Sequence, residues 1–126
     1  TMTDYSEDAL QFARLNILVN LRGEKQANVV TAFLDWRAPF FRSRFDVILG
    51  ADIIYDRKQF PALLGLFRIA LRPGGRIILA DPDRAVGREF LDLARGAGFS
   101  IAETPVKVTA KPNPASVTLF ELQPIL

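Results

Sequence analysis

Short apolar runs alternate along the chain with longer segments whose apolar residues recur every three to four positions. The runs have the length of buried strands, and they occupy residues 27–32, 45–49 and 76–80. The longer segments have the spacing of amphipathic helices, and they follow Ser6 and cover residues 60–71 and 86–97. Strands that alternate with helices in this way predict βαβ units and a parallel sheet.

The two ends of the chain add further strands to this pattern. Residues 1–4 read as the end of a strand, and residues 99–110 and 115–123 as two more strands around the turn KPNP. The last two strands are expected to pair antiparallel. Pro61 suits the first turn of its helix, and the RPGG stretch at residues 72–75 is expected to end that helix.

Composition narrows the classes of protein to which the chain can belong. Its 126 residues suit one domain, 49% of them are hydrophobic, and a formal net charge of +2 does not favour nucleic acid binding. No apolar run is long enough to cross a membrane, and the polar, acidic first residues do not form a signal peptide, so a cytoplasmic location is expected. With no Cys and no His, the chain offers no thiol nucleophile, no Ser-His triad and no usual zinc site, and no metal is expected.

The most informative stretch is FDVILGADIIYD at residues 45–56. Gly50 interrupts its apolar run, so that Asp52 and Tyr55 lie just past the carboxyl end of a strand. Ligands bind at that place in open α/β sheets. The Asp-x-x-Tyr pattern in this context resembles the signature of S-adenosylmethionine-dependent protein lysine methyltransferases of the seven-strand class.

This resemblance implies an α/β fold: a Rossmann-like seven-strand methyltransferase sheet that closes with a C-terminal antiparallel strand pair. Such a sheet begins with a strand, a glycine-rich loop and a helix, but here Gly74-Gly75 precedes a strand and no such loop follows one. Residues 1–126 are therefore expected to be a partial methyltransferase domain, N-terminally truncated, without the first strand, loop and helix. We expect weak cofactor binding and self-association through unpaired strand edges, unless another chain or a rearranged pairing fills the gap.

The resemblance also implies roles for individual residues. As catalytic residues, Asp52 would orient the acceptor amine and stabilise its developing positive charge, while the ring of Tyr55 flanks the cation. For the cofactor, Asp4 would accept hydrogen bonds from the ribose hydroxyls, Asp35 would accept from the adenine amino group, and Trp36 would cover the base. Ordinary alternatives are a turn or cap for each aspartate and a packing role for each ring.

A group of charged residues is predicted at the same sheet edge as Asp52. Its members are Asp56, Asp81 and Asp83, with Arg57, Lys58 and Arg84. The acids would suit a basic substrate segment, but a solvated rim of mixed charge is the favoured interpretation.

Three functions remain open for the sequence. The first is methyl transfer from S-adenosylmethionine to a protein amine, most of all a lysine side chain, in the full-length protein, with a protein as partner and neither nucleic acid nor membrane. The second is N-methylation of a small-molecule amine. The third is a non-catalytic, methyltransferase-like interaction module, which the missing glycine-rich loop favours for the chain by itself.

Overall fold

The computed structural model of the chain describes residues 1–40, 43–109 and 115–125. The chain divides into two compact units, Thr1–Phe40 and Phe41–Leu126, and each is described by itself. In chain order, the described elements are β1 Met2–Asp4, α1 Glu7–Asn20, α2 Glu24–Ala27, β2 Thr31–Phe33, β3 Phe45–Ala51, α3 Phe60–Ala70, β4 Leu71–Asp81, α4 Ala85–Gly96, β5 Phe99–Val108 and β6 Ala115–Pro124.

The first unit contains a two-stranded parallel sheet whose strands are linked by α1. Strands β1 and β2 pair in register, with Asp4 opposite Phe33. The side chain of Ser6 caps α1 by accepting a hydrogen bond of 3.3 Å from the amide of Ala9. The helix predicted to follow Ser6 is therefore confirmed, together with the strand predicted at residues 1–4.

The strand predicted at residues 27–32 was placed too early in the sequence. Gly23 adopts a left-handed φ of 62° and allows the short helix α2 to begin, and the amide of Asn28 closes this helix on the carbonyl of Glu24 at 3.2 Å. Strand β2 then covers only the three residues that pair with β1. The extent of the strand is set by its partner and not by its own apolar residues.

The second unit contains a four-stranded mixed sheet in the order β3-β4-β6-β5. Strands β3 and β4 are parallel, and β6 runs antiparallel to both of its neighbours, β4 and β5. The predicted parallel strands and the closing antiparallel pair are confirmed. The predicted turn at residues 111–114 lies outside the described residues.

The two longer helices of this unit, α3 and α4, contact each other through aromatic rings. The ring of Phe90 in α4 lies 5.1 Å from that of Phe60 and 6.4 Å from that of Phe67, both in α3, with edge-to-face geometry. The other buried apolar residues of these helices and of the sheet include Leu63, Leu66, Ala70, Ile77, Leu79, Leu91, Ala94, Phe99, Phe120 and Leu122. The predicted inward face of α4 is confirmed by Phe90, Leu91 and Ala94.

Strand β4 begins five residues before the predicted start at residue 76. Helix α3 ends at Ala70, two residues before the RPGG stretch that was expected to end it, and RPGG lies inside β4, which begins at Leu71. Leu71 pairs with Phe45, and the register then shifts so that Arg76 pairs with Val47. The extra residues form a bulge, in which Gly74 supplies a positive φ of 76°.

Strand β3 forms one edge of the four-stranded sheet within the described part of the second unit. Val47 and Leu49 both expose their side chains on this strand, and Leu49 is 74% exposed. An edge strand offers unpaired backbone groups that a further strand can use. Self-association through this edge stays a prediction.

Candidate functional site

In the second unit, a candidate site forms where β3 and β4 end side by side. Asp52 follows β3 directly, and its amide donates a 2.8 Å hydrogen bond to the carbonyl of Ala80 in β4. Its backbone has a left-handed φ of 56°, a conformation that Asp tolerates better than most residues. The carboxylate of Asp52 is therefore held at the carboxyl end of the sheet and is exposed there.

Tyr55 lies in the same short segment as Asp52. Ile54, between them, is fully buried and anchors the segment to the core of the unit. Tyr55 is 56% exposed, so its side chain is accessible for contact with another molecule. Asp56 has an ordinary structural role, since its side chain accepts from the amide of Lys58 at 3.0 Å and caps a 3-10 turn.

Asp81, the last residue of β4, is a buried carboxylate. It is only 1% exposed, and its Oδ1 accepts a 2.8 Å hydrogen bond from the amide of Arg84. Its Oδ2 lies 3.5 Å from Nη1 of Arg84. The interpretation of Asp81 as part of a solvated rim was therefore wrong, because this side chain is inside the unit and fixes the start of α4.

Gly87, in the first turn of α4, packs directly on this carboxylate. A Cβ atom at this position would lie 3.1 Å from Oδ1 of Asp81 and 3.2 Å from Cδ1 of Ile54. Both distances are tighter than ordinary van der Waals contact. The absence of a side chain at Gly87 thus allows the helix to approach the ends of both strands.

Arg84 links the buried carboxylate to the exposed one. Its Nη1 donates to Oδ1 of Asp52, and its Nη2 donates to Oδ2 of Asp52 at 3.2 Å. This hydrogen bonding to Arg84 lowers the pKa of Asp52 below its ordinary value, and the same pair raises the pKa of Arg84. Sequence reasoning missed this pairing, although the acidic Asp-Pro-Asp-Arg sequence directly after a buried strand marks the place.

Asp83 belongs to a separate network. It accepts hydrogen bonds of 2.7 Å from the hydroxyl of Thr118 and from Nη2 of Arg88. Both hydrogen bonds lower the pKa of Asp83, and the one from the hydroxyl has the larger effect. Arg88 also pairs with Glu103 and lies 5.2 Å from the ring centroid of Phe120. These contacts join α4 to β5 and β6, so Asp83 has a structural role.

The predicted cofactor residues lie in the first unit, at the end of its sheet. Asp4 is half-buried, and its Oδ1 accepts a 2.8 Å hydrogen bond from the amide of Ser6. Asp4 therefore makes the contact of a turn residue, which is the alternative to a ribose role. Asp35 follows the end of β2 by two residues, and because Asp4 pairs with Phe33 the two acids lie at the same sheet edge.

Asp35 is already paired with a neighbouring residue, and Trp36 is half-buried beside it. Nε of Arg37 lies 2.9 Å from Oδ1 of Asp35, and Nη2 lies 2.6 Å from Oδ2. Hydrogen bonds from the side chain and amide of Arg37 lower the pKa of Asp35 to about 2. The ribose and adenine roles of these residues stay predictions.

Two further features of the described ranges bear on ligands and location. Residues 1–40, 43–109 and 115–125 bring together no group of three or more acidic side chains that would hold a metal ion. Over the same ranges, no helix has the length and apolar character needed to cross a membrane.

Comparison with known proteins assigns the sequence to a family. The model of a family described as lysine methyltransferase matches residues 1–95. The chain is 35% identical over 85 residues to EEF1A lysine methyltransferase 3 of Mus musculus, which covers 68% of this chain and 36% of that protein. It is 39% identical over 67 residues to protein N-lysine methyltransferase METTL21A of Danio rerio, which covers 51% of this chain and 30% of that protein. The chain thus spans about a third of the length of these curated relatives.

Solved structures agree on the fold. The N-methyltransferase NodS from Bradyrhizobium japonicum WM9, in complex with S-adenosyl-L-homocysteine, matches with a TM-score of 0.64 and 14% identity. The match covers 94% of this chain and 64% of that one. The predicted fold class is confirmed, because the chain has the mixed α/β architecture of Rossmann-like methyltransferases.

Proposed function

The chain belongs to the lysine methyltransferase family, and from this premise we propose that the protein that carries it methylates a lysine side chain of another protein, with S-adenosylmethionine as the cofactor. The observation that carries the proposal is the placement of Asp52. This exposed carboxylate stands at the carboxyl end of a parallel strand, with the accessible ring of Tyr55 three residues further on. In α/β sheets, ligands bind at this edge.

The proposed chemistry requires a neutral amine and a group that tolerates its change of charge. When bound, S-adenosylmethionine supplies a methyl group on a positively charged sulfur, which keeps the electrons of the broken bond. The acceptor nitrogen becomes positively charged as its lone pair forms the new bond, and it then loses a proton to water. The carboxylate of Asp52 stabilises that developing charge and the face of Tyr55 flanks it.

The acidic residues of the first unit fit the nucleoside part of the cofactor to different degrees. Oδ2 of Asp4 accepts no hydrogen bond from the described residues, which leaves it available for ribose hydroxyls. Asp35 and Trp36 supply an acceptor and an apolar wall for adenine, but Asp35 would have to share its oxygens with Arg37. Asp4 is therefore the residue on which cofactor affinity is proposed to depend most.

The proposal is tested by labelling with the full-length protein. Radiolabelled cofactor is supplied together with a protein extract or with a panel of small primary amines, and labelled proteins are digested and sequenced by mass spectrometry. Label on lysine side chains supports the proposal. Label in small amines alone would replace it with small-molecule N-methylation, and cofactor binding without any label would indicate a non-catalytic module.

Replacing Asp4 with asparagine is expected to weaken cofactor binding by about 10- to 150-fold, the equivalent of a hydrogen bond to a charged group. Asparagine retains an oxygen that can accept from the amide of Ser6, so the turn is preserved while the charge is removed. Titration calorimetry of the full-length protein measures the affinity. The exposed Asp8→Asn serves as the control, and unchanged affinity in Asp4→Asn would reduce Asp4 to a turn residue.

A further inference from the structure

Arg84 occupies an unusual position between two carboxylates of different exposure. Its amide is fixed by buried Asp81 at 2.8 Å, and its guanidinium extends to both oxygens of Asp52. The side chains of Arg84 and Asp52 are both partly exposed, so solvent and a substrate can reach the pair. The charge of Asp52 is thus partly offset by a cation of this chain, while each carboxylate oxygen keeps a further lone pair for another donor.

A guanidinium and the ammonium group of a lysine side chain bind a carboxylate through the same interactions. Both are cations with several N–H donors, and each oxygen of Asp52 already accepts one hydrogen bond from Arg84. An isolated carboxylate beside an acceptor lysine would favour its ammonium form, which has no lone pair to accept a methyl group. A cation paired with that carboxylate has the opposite effect.

We propose that Arg84 is a positioning residue that holds Asp52 and offsets its charge, so that the site discriminates against the ammonium form of the acceptor and favours the neutral amine. The inference rests on the proposed function, because it concerns the same acceptor site. Arg84 acts through Asp52 and does not itself touch the transferred group.

The charged groups that pair through Arg84 come from three segments. They are Asp52 after β3, Asp81 at the end of β4 and Arg84 before α4. The carboxylate of Asp83 instead accepts hydrogen bonds from Thr118 and Arg88, and that of Asp56 accepts from the amide of Lys58 and caps the 3-10 turn. Of the described residues, Arg84 is the one whose charge acts directly on Asp52.

The first test is the pH dependence of methyl transfer by the full-length protein. In Arg84→Gln, the alkaline rise of kcat is expected to move to higher pH by about 0.5 unit, because the unpaired carboxylate stabilises the acceptor ammonium with the energy of an exposed ion pair. Arg84→Lys keeps the positive charge and is expected to retain the wild-type profile. Arg95→Gln, at the other end of the same helix, removes an exposed arginine from its pairs with Asp92 and Glu103 and serves as the matched control.

The second test needs no activity. The carboxyl carbon of Asp52 is followed by NMR in the full-length protein, and its signal is assigned from the loss in Asp52→Asn. In Arg84→Gln the pKa of Asp52 is expected to rise toward the ordinary aspartate value. n-Butylammonium chloride, a mimic of the lysine side chain, is expected to bind up to about 5-fold more tightly than in the wild type, because an exposed competing ion pair has been removed.

The outcomes separate this inference from the proposed function. An unmoved pH profile together with unchanged n-butylammonium affinity in Arg84→Gln would overturn the role of Arg84, whereas lysine methylation by the wild type would still stand. If the wild type methylates no lysine but Arg84→Gln binds n-butylammonium more tightly, the proposed function is overturned, while the conclusion that Arg84 offsets the charge of Asp52 stands. Arg84→Met, which also removes the charge, provides the same readout if Arg84→Gln does not fold.

Discussion

Replacing Asp52 with alanine is expected to reduce methyl transfer at least about 100-fold, because it removes the fixed charge that stabilises the developing cation. Cofactor affinity is expected to change by less than about 2-fold, since this side chain is proposed to face the acceptor amine and not the nucleoside. The proposal thus separates Asp52 from Asp4, whose loss affects cofactor affinity first. Single-turnover methylation and calorimetric cofactor binding, both with the full-length protein, measure the two effects.

Two further variants sharpen the Asp52 prediction. Asp52→Asn keeps the shape of the side chain and removes its charge, so a loss of rate as large as that in Asp52→Ala would identify charge as the cause. Asp46→Ala removes an exposed aspartate from the opposite end of β3, where it pairs with Arg72 at 3.0 Å, and is expected to leave the rate unchanged. Full activity in Asp52→Ala would make the Asp-x-x-Tyr segment a structural turn only.

Replacing Phe90 with alanine is expected to lower the free energy of unfolding by about 3–5 kcal/mol, the usual cost of removing a buried aromatic ring. Phe90 is fully buried and makes edge-to-face contacts with Phe60 and Phe67 on the facing helix. The cavity would therefore open between α3 and α4. Urea denaturation of the full-length protein, followed by circular dichroism, gives the change in free energy.

Leu93→Ala is the matched control for Phe90→Ala, because Leu93 lies on the same helix with an exposed side chain. Its loss is expected to cost less than about 0.5 kcal/mol. A cost below about 1 kcal/mol for Phe90→Ala would mean that the two helices do not share one rigid core.

Those elements that carry strong local signals were predicted well from the sequence. The helix with Pro61 in its first turn, the helix with Phe90 on its inner face and the strand that precedes Asp52 all match the structure. In each case, the local preference and the apolar pattern favour the same element. The position of Asp52 at the end of a parallel strand followed from the same agreement.

The features that sequence reasoning missed depend on residues distant along the chain. Arg84 and Asp52 are 32 residues apart, and their pairing requires the adjacent ends of β3 and β4. The burial of Asp81 likewise depends on the close approach of a helix. The early start of β4 is set by the pairing of Leu71 with Phe45, which no local pattern indicates.

The tight packing at Gly87 has a consequence for how this family varies in evolution. A Cβ at position 87 would lie 3.1 Å from Oδ1 of Asp81 and 3.2 Å from Cδ1 of Ile54, so the space for a side chain is crowded. A side chain at position 87 would therefore require these neighbours to shift by a few tenths of an ångström, and a smaller residue at position 81 or 54 would relieve the crowding. In an alignment of relatives, we expect these three positions to covary, with glycine at 87 wherever aspartate and isoleucine are both present. Relatives that keep aspartate and isoleucine but carry a bulky residue at position 87 would contradict this coupling.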